Sequence, residues 1–274
     1  GEVGQVVPWP ADVARADTVA GAVQGADVVV NLVGILYERG RATFQKIHEE
    51  GAGNVAQAAA DAGVKRLVHV SALGADAESP AKYARSKAAG EAAVKTAFAK
   101  ATILRPSIVF GPEDDFFNRF ASMARLSPVL PVIGAASAKD GGPKFQPVYV
   151  GDVADAVMAA LNDAKAPGQV FELGGPTVYS FRELMQLVMA QTGRKRCLLP
   201  LPYWAAEMQA AILGLLPTPP LTSDQVQLLR RDNVVGDKVK TLKNLGIAPR
   251  AAEAILPTYL MRFRNNAWQG VQNA

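Results

Sequence analysis

The feature that most constrains this chain is a regular alternation of apolar, β-rich runs with helix-length segments. Residues 26–34, 65–72 and 101–111 read ADVVVNLVG, KRLVHVSA and ATILRPSIVFG, and each is a short hydrophobic run typical of a buried strand. Residues 44–63 and a segment from about Tyr83 to Phe98 lie between them and predict helices. Because parallel strands need a crossover of a dozen or more residues, this order predicts a doubly wound parallel sheet, a Rossmann-like α/β architecture.

The pattern loosens after Gly111. Residues 112–126 contain a short amphipathic helix, and residues 144–161 predict a strand followed by a helix with Asp152 at its N-cap. Residues 180–193 predict a helix with a serine cap, a glutamate at capping-box spacing and a glycine stop. The chain beyond is predicted to be helical and interrupted by prolines, which indicates a smaller C-terminal lobe.

The first residues, GEVGQVVPWPADV, lack the glycine-rich turn that opens such folds. Gly1 and Gly4 precede what looks like a short strand at Gln5–Trp9, and neither begins a helix, so no phosphate-binding glycine can be named. A parallel sheet without its central first strand would leave backbone groups unpaired, so we expect an upstream βαβ segment of about 45–55 residues. We therefore predict an N-terminally incomplete nucleotide-binding domain over 1–165 and a smaller, mainly helical lobe over 166–274, with exchange of strands and helices between them left open.

Charge and cysteine content restrict the partners and the compartment. The net charge of +4 equals the surplus of residues 224–274, which hold eight Lys or Arg against four Asp or Glu. Such a segment suits an acidic partner or anionic lipid headgroups, although a solvated basic face explains it equally well. No motif favours nucleic acid. The single cysteine, Cys197, cannot form an internal disulfide, which favours a reducing compartment, and we interpret it as a small buried hydrophobe.

Residues 203–216 are an apolar helix-length stretch with one charge, Glu207. The stretch is too apolar for a fully solvated helix and shorter than the ~20 residues that cross a bilayer. It is either a core helix of the C-terminal lobe or a helix that binds a partner or the membrane interface. The neighbouring basic segment favours the second interpretation somewhat.

Tyr83 and Lys87, in the stretch SPAKYARSKAAGE, are four residues apart and therefore share a helix face. Three interpretations fit this spacing: a catalytic dyad, a cofactor anchor, or two side chains that pack on one face. In a reductase, a tyrosine hydroxyl exchanges a proton with the reacting oxygen, and a nearby lysine lowers its pKa from about 10 toward neutrality. Spacing alone does not choose among the three.

Several motifs together resemble one superfamily. NLVG (31–34), the helix-to-strand segment 51–75, YARSK (83–87) and LRPSIVFGP (104–112) resemble the extended and atypical short-chain dehydrogenase/reductases. The segments that follow, 110–134 and 144–157, are similar to the nucleotide-binding accessory subunit of respiratory complex I, the NADH:ubiquinone oxidoreductase, in its bacterial form.

This resemblance implies tightly held NADPH that need not turn over, with NAD left open. It also implies other complex I subunits as partners, and a peripheral position on the cytoplasmic side of the inner membrane, or on the matrix side in a mitochondrion. The choice between NADP and NAD is made near the second strand of such folds, which this sequence lacks.

The resemblance also implies site residues one by one. Lys87 would donate hydrogen bonds to the nicotinamide ribose, Tyr83 would transfer a proton or bind the ribose, and Ser71 would orient a substrate carbonyl. These three are the catalytic residues, active or vestigial, and they also contact the cofactor. The other implied cofactor-binding residues follow strand ends, where ligands of open α/β sheets collect: Asn31, Val33, Gly34, Pro106 and Ser107. Strand termination explains Val33 equally well, and a structural turn explains Pro106 and Ser107 nearly as well.

The remaining reactive side chains predict no metal site. His48 and His69 have no cysteine or second histidine at ligand spacing, and His69 lies inside an apolar strand, where it is interpreted as a core residue with its hydrogen bonds satisfied. Phe110 and Phe117 are interpreted as packing residues. The leading hypothesis is an accessory subunit that holds NADPH. Its alternatives are a free-standing NADP-dependent reductase or epimerase-like enzyme using Tyr83 as proton donor, and a ligand-free scaffold of the same fold.

Overall fold

A parallel sheet and its crossover helices form the N-terminal half of the computed structural model, which describes residues 6–214, 216 and 219–264. The helices and strands up to residue 106 follow in chain order: α1 Ala16–Val23, β1 Val28–Asn31, a π-helix Gln45–Glu50 that continues into α2 Gly51–Asp61, β2 Arg66–Val70, α3 Lys82–Ala97 and β3 Thr102–Pro106. The helices and strands predicted between residues 26 and 106 are present, although the strands are shorter than the apolar runs that predicted them. The segment predicted as one helix over 44–63 begins with a π turn.

The second half contains more and shorter strands. Its elements are β4 Val109–Phe110, α4 Phe116–Leu126, β5 Val129–Ile133, β6 Lys144–Phe145, β7 Val148–Tyr149, α5 Val150–Asn162, β8 Val170–Leu173, β9 Tyr179–Ser180, α6 Phe181–Thr192, β10 Cys197–Leu201, α7 Tyr203–Leu213, α8 Ser223–Leu228, β11 Lys240–Thr241 and α9 Ala252–Leu260, with 3-10 turns at Leu242–Leu245 and Met261–Phe263. The capping box at the start of α6 is formed as predicted, and α6 ends at a left-handed glycine, Gly193.

The main sheet has five strands in the order β1-β2-β3-β8-β11. β1 pairs with β2 in parallel, with Val28 opposite Arg66, and β2 pairs with β3 in parallel, with Val68 opposite Thr102. Each of these connections contains a helix, α2 or α3, as parallel neighbours require. The predicted fold class, a Rossmann-like mostly parallel sheet with flanking helices, is confirmed.

The chain divides into two units: unit 1 comprises residues 1–105 and 157–171, and unit 2 comprises 106–156 and 172–274. The core of unit 1 is built from valine, alanine and leucine side chains contributed by α1, α2, β2 and the end of α3. Small residues let its helices approach closely. At Gly90 of α3 a Cβ atom would collide with the backbone carbonyl of His48, so the π-helix packs directly against the α3 backbone.

Unit 2 has an aromatic core. Phe110 and Phe117 are fully buried and meet edge to face with ring centroids 5.8 Å apart, which confirms their interpretation as packing residues. Phe116, Phe120 and Phe181 extend the same cluster. Such rings bury large apolar areas and therefore dominate the stability of a small core.

Three local predictions were wrong in this structure. Residues 6–9 form no strand, because a strand requires a hydrogen-bonded neighbour and the side chains of Val6, Val7 and Trp9 are exposed; Gln5 lies outside the described residues. Asp152 is not an N-cap, since α5 begins at Val150, and its buried carboxylate accepts a hydrogen bond from the Arg250 backbone N–H at 2.7 Å.

Cys197 is exposed rather than buried. It begins β10, a strand that the predicted all-helical C-terminal part did not include and that pairs in parallel with β5. The register places Cys197 opposite Val129 and Pro200 opposite Val132. A strand with a proline and alternating exposure at a two-strand edge carries only a weak signal in the sequence.

Candidate functional site

The predicted pair Tyr83 and Lys87 lies in the first half of α3. The buried stripe of this helix includes Ala84, Lys87, Glu91 and Val94, which follow helical spacing, so two charged residues lie on its inward face. The Lys87 side chain is only 5% exposed, and its amine donates a hydrogen bond to the carbonyl of Val70 at 3.1 Å. Val70 ends β2, so α3 places the amine at the carboxyl edge of the sheet.

An ion pair one helical turn further on holds α3 to the neighbouring strand. The Arg105 guanidinium in β3 donates two hydrogen bonds to the Glu91 carboxylate, each 2.8 Å long. This bidentate geometry is the strongest form of such a pair and orients α3 on the sheet. Burial lowers the pKa of Lys87 to about 8, while the negative charge of Glu91 partly opposes that shift.

Ser71 follows β2 directly and is 5% exposed. Its backbone N–H donates to the Leu104 carbonyl at 2.7 Å. Within the part of the chain that the structure describes, its hydroxyl has no hydrogen-bond partner. A buried hydroxyl without a partner is costly, so Ser71 carries a polar group suited to a ligand at the sheet edge.

Tyr83 is surrounded by aromatic rings. Its ring meets the rings of Phe44 and His48 edge to face, at centroid distances of 5.7 Å and 5.3 Å. Burial raises the pKa of the Tyr83 hydroxyl to about 12, whereas the reductase interpretation expects a value lowered toward neutrality. In this environment the phenol stays protonated at neutral pH, which suits hydrogen bonding better than proton abstraction.

The loop after β1 approaches the same lysine. The Asn31 amide donates to His69 Nδ1 at 3.2 Å, and its carbonyl oxygen accepts from the Val33 backbone N–H at 3.1 Å. A Cβ atom at Gly34 would stand 3.6 Å from His48 Nε2 and 3.8 Å from Lys87 Nζ. The structure therefore brings Gly34 close to Lys87, and the cofactor-binding role of both residues stays a prediction.

His69 and Val33 differ in their surroundings. His69 is buried and bonded to Asn31, which confirms its interpretation as a core residue, and burial lowers its pKa to about 3. The Val33 side chain is exposed. It is open to a ligand, although strand termination still explains it as well.

Pro106 and Ser107 belong to unit 2. Pro106 ends β3 and is buried. The Ser107 hydroxyl donates to the side-chain oxygen of Asn233 at 2.6 Å, and its backbone N–H donates to the Leu173 carbonyl at 2.9 Å. These contacts give Ser107 a structural role in its own unit, and the cofactor-binding role of both residues stays a prediction.

Sequence reasoning missed the residues that support the pair. His48 and Ser86 are 38 positions apart in the chain, yet His48 Nδ1 and Ser86 Oγ are 2.9 Å apart. Glu91 follows Lys87 by four residues, and a second charged residue on the inward face of a helix is a signal that could have marked this site. The His48 contact had no such local signal. Across residues 6–214, 216 and 219–264, no three His, Cys, Asp or Glu side chains gather as a metal site.

A second candidate surface is the exposed side of α7. Ala206 and Ala210 are buried, while Trp204, Met208 and Ile212, each four residues from the next, are 65%, 62% and 69% exposed. We call these three residues the α7 apolar face. The one charge of this helix points elsewhere, since Glu207 accepts hydrogen bonds from Gln227 and Arg230.

The α7 helix thus has one buried and one exposed side, and the interfacial interpretation stays a prediction. Of the helices in the described ranges, none combines the length and hydrophobicity needed to cross a membrane. The exposed apolar stripe of α7 is interrupted by no charged side chain between Trp204 and Ile212 on that face. An exposed apolar stripe of this kind is a candidate binding surface.

Comparison with known proteins agrees with the fold and with an NAD(P)-binding domain in the N-terminal half of the chain. Residues 2–115 match the NAD(P)H-binding family, and residues 75–195 match the 3-beta hydroxysteroid dehydrogenase/isomerase family. The structure is similar to the NADPH-dependent quinone oxidoreductase from Escherichia coli complexed with NADPH, with a TM-score of 0.69 and 22% identity, covering 93% of this chain and 82% of that one. At this identity the likeness shows the fold alone.

Relatives extend over almost the whole chain. The mitochondrial NADH dehydrogenase (ubiquinone) 1 alpha subcomplex subunit 9 of Arabidopsis thaliana is 34% identical over 275 residues, which cover 96% of this chain and 67% of that protein. The protein of the same name from Mus musculus is 34% identical over 270 residues, which cover 98% of this chain and 70% of that protein. The resemblance seen in the sequence motifs is confirmed: this chain belongs to the family of NADH dehydrogenase (ubiquinone) 1 alpha subcomplex subunit 9 proteins.

Proposed function

We propose that this protein is an accessory subunit of respiratory complex I, NADH:ubiquinone oxidoreductase, and that it holds NADPH as a structural cofactor. One observation carries the nucleotide part of the proposal: the buried amine of Lys87 lies at the carboxyl edge of the sheet, close to Gly34. Ligands of open α/β sheets collect at this edge. The family membership supports the assembly part.

The residues at the sheet edge suit a pyridine nucleotide. The Lys87 amine can donate three hydrogen bonds, and among the described residues it has one, to Val70. The Ser71 hydroxyl is buried and has no partner there. Ribose hydroxyls and a carboxamide accept such donors, so Lys87 would hold the ribose and Ser71 would contact the carboxamide.

The loop of Asn31, Val33 and Gly34 would line the bound nucleotide. The Asn31 side chain fixes the start of this loop through its bonds to Val33 and His69. Gly34 presents backbone and no side chain toward the Lys87 amine. A nicotinamide cofactor supplies hydride chemistry when it is bound; the residues of this chain would supply the ribose contacts.

Release of the bound molecule tests the nucleotide proposal directly. The full-length protein is purified, denatured and analysed for NADP(H) and NAD(H) by mass spectrometry. We expect NADPH to be released in nearly equimolar amount. A folded full-length protein that retains neither nucleotide, and binds neither when it is added, contradicts the proposal; retention of NAD(H) alone corrects the cofactor.

Two variants separate anchoring from chemistry. Lys87→Ala is expected to weaken NADPH binding more than Tyr83→Phe does, because the lysine supplies charged donors while the phenol is needed mainly for proton transfer. Fluorescence titration with NADPH ranks the two. The reverse order would show that the phenol, not the amine, anchors the nucleotide.

A free-standing NADP-dependent reductase or epimerase-like enzyme is the second candidate. Ser71, Tyr83 and Lys87 are all present in unit 1, and this complete set favours it. The raised pKa of Tyr83 keeps the phenol protonated, the form that can donate, but makes it a weaker acid than the lowered pKa expected of a catalytic tyrosine. Loss of a measurable reductase activity in Tyr83→Phe, with NADPH binding intact, would place the enzyme above the accessory subunit.

The assembly is tested by co-purification. Membranes are solubilised in mild detergent, and the full-length protein is followed through native separation together with NADH dehydrogenase activity. We expect it to migrate with that activity, bound to other subunits on the cytoplasmic face of the inner membrane, or on the matrix face in a mitochondrion. A soluble, monodisperse protein that turns over a substrate would favour the rival.

We propose that the α7 apolar face attaches the protein to this assembly, through another subunit or through anionic lipid headgroups next to it. Its three exposed side chains form an apolar stripe. Contact of such a stripe with water is unfavourable, so a partner or a membrane interface would be expected to cover it. Leu213, the last residue of α7, is half-buried and is a poorer choice for mutation. The basic surplus of residues 224–274 suits acidic partners of either kind.

The triple variant Trp204→Ser, Met208→Ser and Ile212→Ser tests the attachment. We expect it to keep its NADPH and its melting temperature but to leave the assembly, whereas the control Leu126→Ser, an exposed leucine on α4, remains attached. Flotation with vesicles of phosphatidylglycerol and phosphatidylcholine distinguishes lipid from a protein partner. If the wild type binds the vesicles and the triple variant does not, the α7 apolar face binds lipid. A folded triple variant that still co-migrates shows that attachment uses another surface, with residues 114–125, which include most of α4, as the next candidate.

A further inference from the structure

His48 connects three parts of unit 1. It lies in the π-helix Gln45–Glu50 and is 2% exposed. Its Nε2 atom is 3.0 Å from the backbone N–H of Ile35, in the loop after β1, and its Nδ1 atom is 2.9 Å from Ser86 Oγ on α3. A π turn inside a helix is rare and frequently occurs at functional sites.

The hydrogen bonds fix which nitrogen of His48 carries the proton. The Ser86 hydroxyl donates its one hydrogen to the Tyr83 carbonyl at 2.8 Å. Its oxygen therefore accepts from His48, so Nδ1 carries the hydrogen. The Ile35 N–H can only donate, so Nε2 must be the unprotonated acceptor. The imidazole is neutral, in the Nδ1–H form.

Aromatic contacts hold the ring in this orientation. Phe44 stacks on His48 with ring centroids 5.3 Å apart and planes inclined by 22°. Tyr83 meets it perpendicularly at 5.3 Å. The Nε2 atom of His48 also lies 3.6 Å from where a Cβ of Gly34 would be, so the ring stands directly beside the glycine that approaches Lys87.

We propose that His48 is a positioning residue for nucleotide binding: its neutral imidazole holds the loop of Gly34 and Ile35 against α3, beside the Lys87 amine. This rests on the proposed binding of a pyridine nucleotide. The loop is otherwise exposed around Gly34, and within the described residues the His48 ring is the one acceptor for the Ile35 N–H. Ordering the loop before the nucleotide arrives lowers the entropy cost of binding.

The charged and titratable groups around His48 keep it neutral. Lys87 and Tyr83 face it from α3, and His69 lies on β2; burial first and the Lys87 charge second lower the pKa of His48 to about 4. A second proton would go on Nε2, where it would face the Ile35 N–H. The geometry therefore excludes the charged ring while the loop is in place.

The wild-type protein offers a direct test, because the chain has only two histidines. Long-range 15N–1H spectra of histidine-labelled full-length protein report the tautomer of each ring. We expect the Nδ1–H form for His48 and the Nε2–H form for His69, whose Nδ1 accepts from Asn31. An Nε2–H tautomer for His48, or a titration of His48 near pH 6.5, overturns the proposal.

Two substitutions test the effect on the nucleotide. His48→Phe keeps an aromatic ring but removes both hydrogen bonds, and we expect it to weaken NADPH binding about tenfold. His48→Gln can still accept from Ile35 and donate to Ser86, so it is expected to restore most of the affinity. The exposed neighbour Glu49→Gln is the matched control and should bind like the wild type.

The possible outcomes distinguish the role proposed for His48 from the proposed binding of NADPH, on which that role rests. Wild-type protein that binds no NADPH contradicts the proposed function itself. Wild-type binding together with equal affinity in a folded His48→Phe overturns only the role of His48. If His48→Phe does not fold, hydrogen exchange of the wild type decides: NADPH is expected to slow exchange of the Ile35 amide about tenfold, and an unchanged rate overturns the proposal.

Discussion

The two units bury different kinds of side chain. Of the twelve polar or charged residues that are buried in the described part of the chain, nine lie in unit 1 and three in unit 2. The nine include Asn31, His48, His69, Ser71, Ser86, Lys87 and Glu91, and most lie close to the carboxyl edge of the sheet. Burying such groups costs free energy unless they are paired, and of these seven side chains only the Ser71 hydroxyl has no hydrogen-bond partner within the described residues.

Unit 2 differs from unit 1 in the side chains of its core, and it has an exposed apolar helix face. Its core is a cluster of phenylalanine rings, and its α7 apolar face is left open. Unit 1 thus concentrates buried polar groups, whereas unit 2 combines an aromatic core with the exposed α7 apolar face. The comparison predicts that stability, nucleotide binding and attachment respond to different substitutions.

The largest expected effect is on the stability of unit 2. Phe117→Ala removes a fully buried ring that contacts Phe110 and Phe116, and we expect unfolding to require about 3–5 kcal/mol less free energy. Urea denaturation followed by circular dichroism measures the change. The control Leu126→Ala, at an exposed position of α4, is expected to change little. A loss below about 1 kcal/mol for Phe117→Ala would mean that the aromatic core does not dominate unit 2.

The second effect separates binding from stability in unit 1. Lys87→Met keeps the aliphatic length but removes the buried amine, and we expect a loss of NADPH affinity worth about 1.5–3 kcal/mol, roughly ten- to a hundredfold. Stability is expected to stay equal or rise, because a buried charge is replaced by an apolar group. Isothermal titration with NADPH and urea denaturation of the apo protein measure the two. The exposed Lys95→Met, on the same helix, is the control.

The lysine also predicts a pH dependence. Its pKa is lowered to about 8 in the folded protein from 10.5, so the unfolded chain binds more protons between these values. Stability of the wild type is therefore expected to gain with rising pH from about 8 to 10.5 through this group. Lys87→Met should lack that gain; an identical pH profile for both proteins would contradict the burial of the charge.

The third expected effect is a loss of stability at acid pH, caused by His48 and His69. The folded pKa values of about 4 for His48 and about 3 for His69 lie below the usual 6.5, so both groups take up protons on unfolding between these values and 6.5. Stability contributed by the neutral rings falls as pH drops through that window, by about 1.4 kcal/mol per pH unit for each proton. His48→Phe is expected to reduce the dependence of the unfolding free energy on pH by the contribution of one proton. Urea denaturation at pH 5 and pH 6.5 measures this change.

The smallest expected effect on stability compares the exposed and the buried side of α7 in unit 2. Met208→Ser alters an exposed side chain of the α7 apolar face, and we expect the free energy of unfolding to change by no more than about 0.5 kcal/mol. Ala210→Ser, on the buried side of the same helix, is expected to cost more because it puts a hydroxyl into the core. Equal effects of the two substitutions would show that α7 does not have one open and one packed side.

Much of the fold followed from local pattern. The alternation of apolar runs and helix-length segments predicted β1, β2, β3 and the helices between them, because strand and helix periodicities are properties of neighbouring residues. The capping box of α6 was equally local, since Ser180 and Glu183 are three residues apart. The strand β10 and the π turn before α2 were not predicted, because their geometry depends on distant partners, β5 in one case and the α3 backbone at Gly90 in the other.

By itself, the sequence determined the sheet with its crossover helices, the shared helix face of Tyr83 and Lys87, and the family to which the motifs belong. The tertiary structure decided what that face does. It buried Lys87, raised the pKa of Tyr83 instead of lowering it, and placed His48 against Ser86 from 38 residues away. Spacing fixes which side chains lie on one face of an element, but a pKa and a hydrogen bond depend on what the rest of the chain places against that face, and no local pattern records those long-range neighbours.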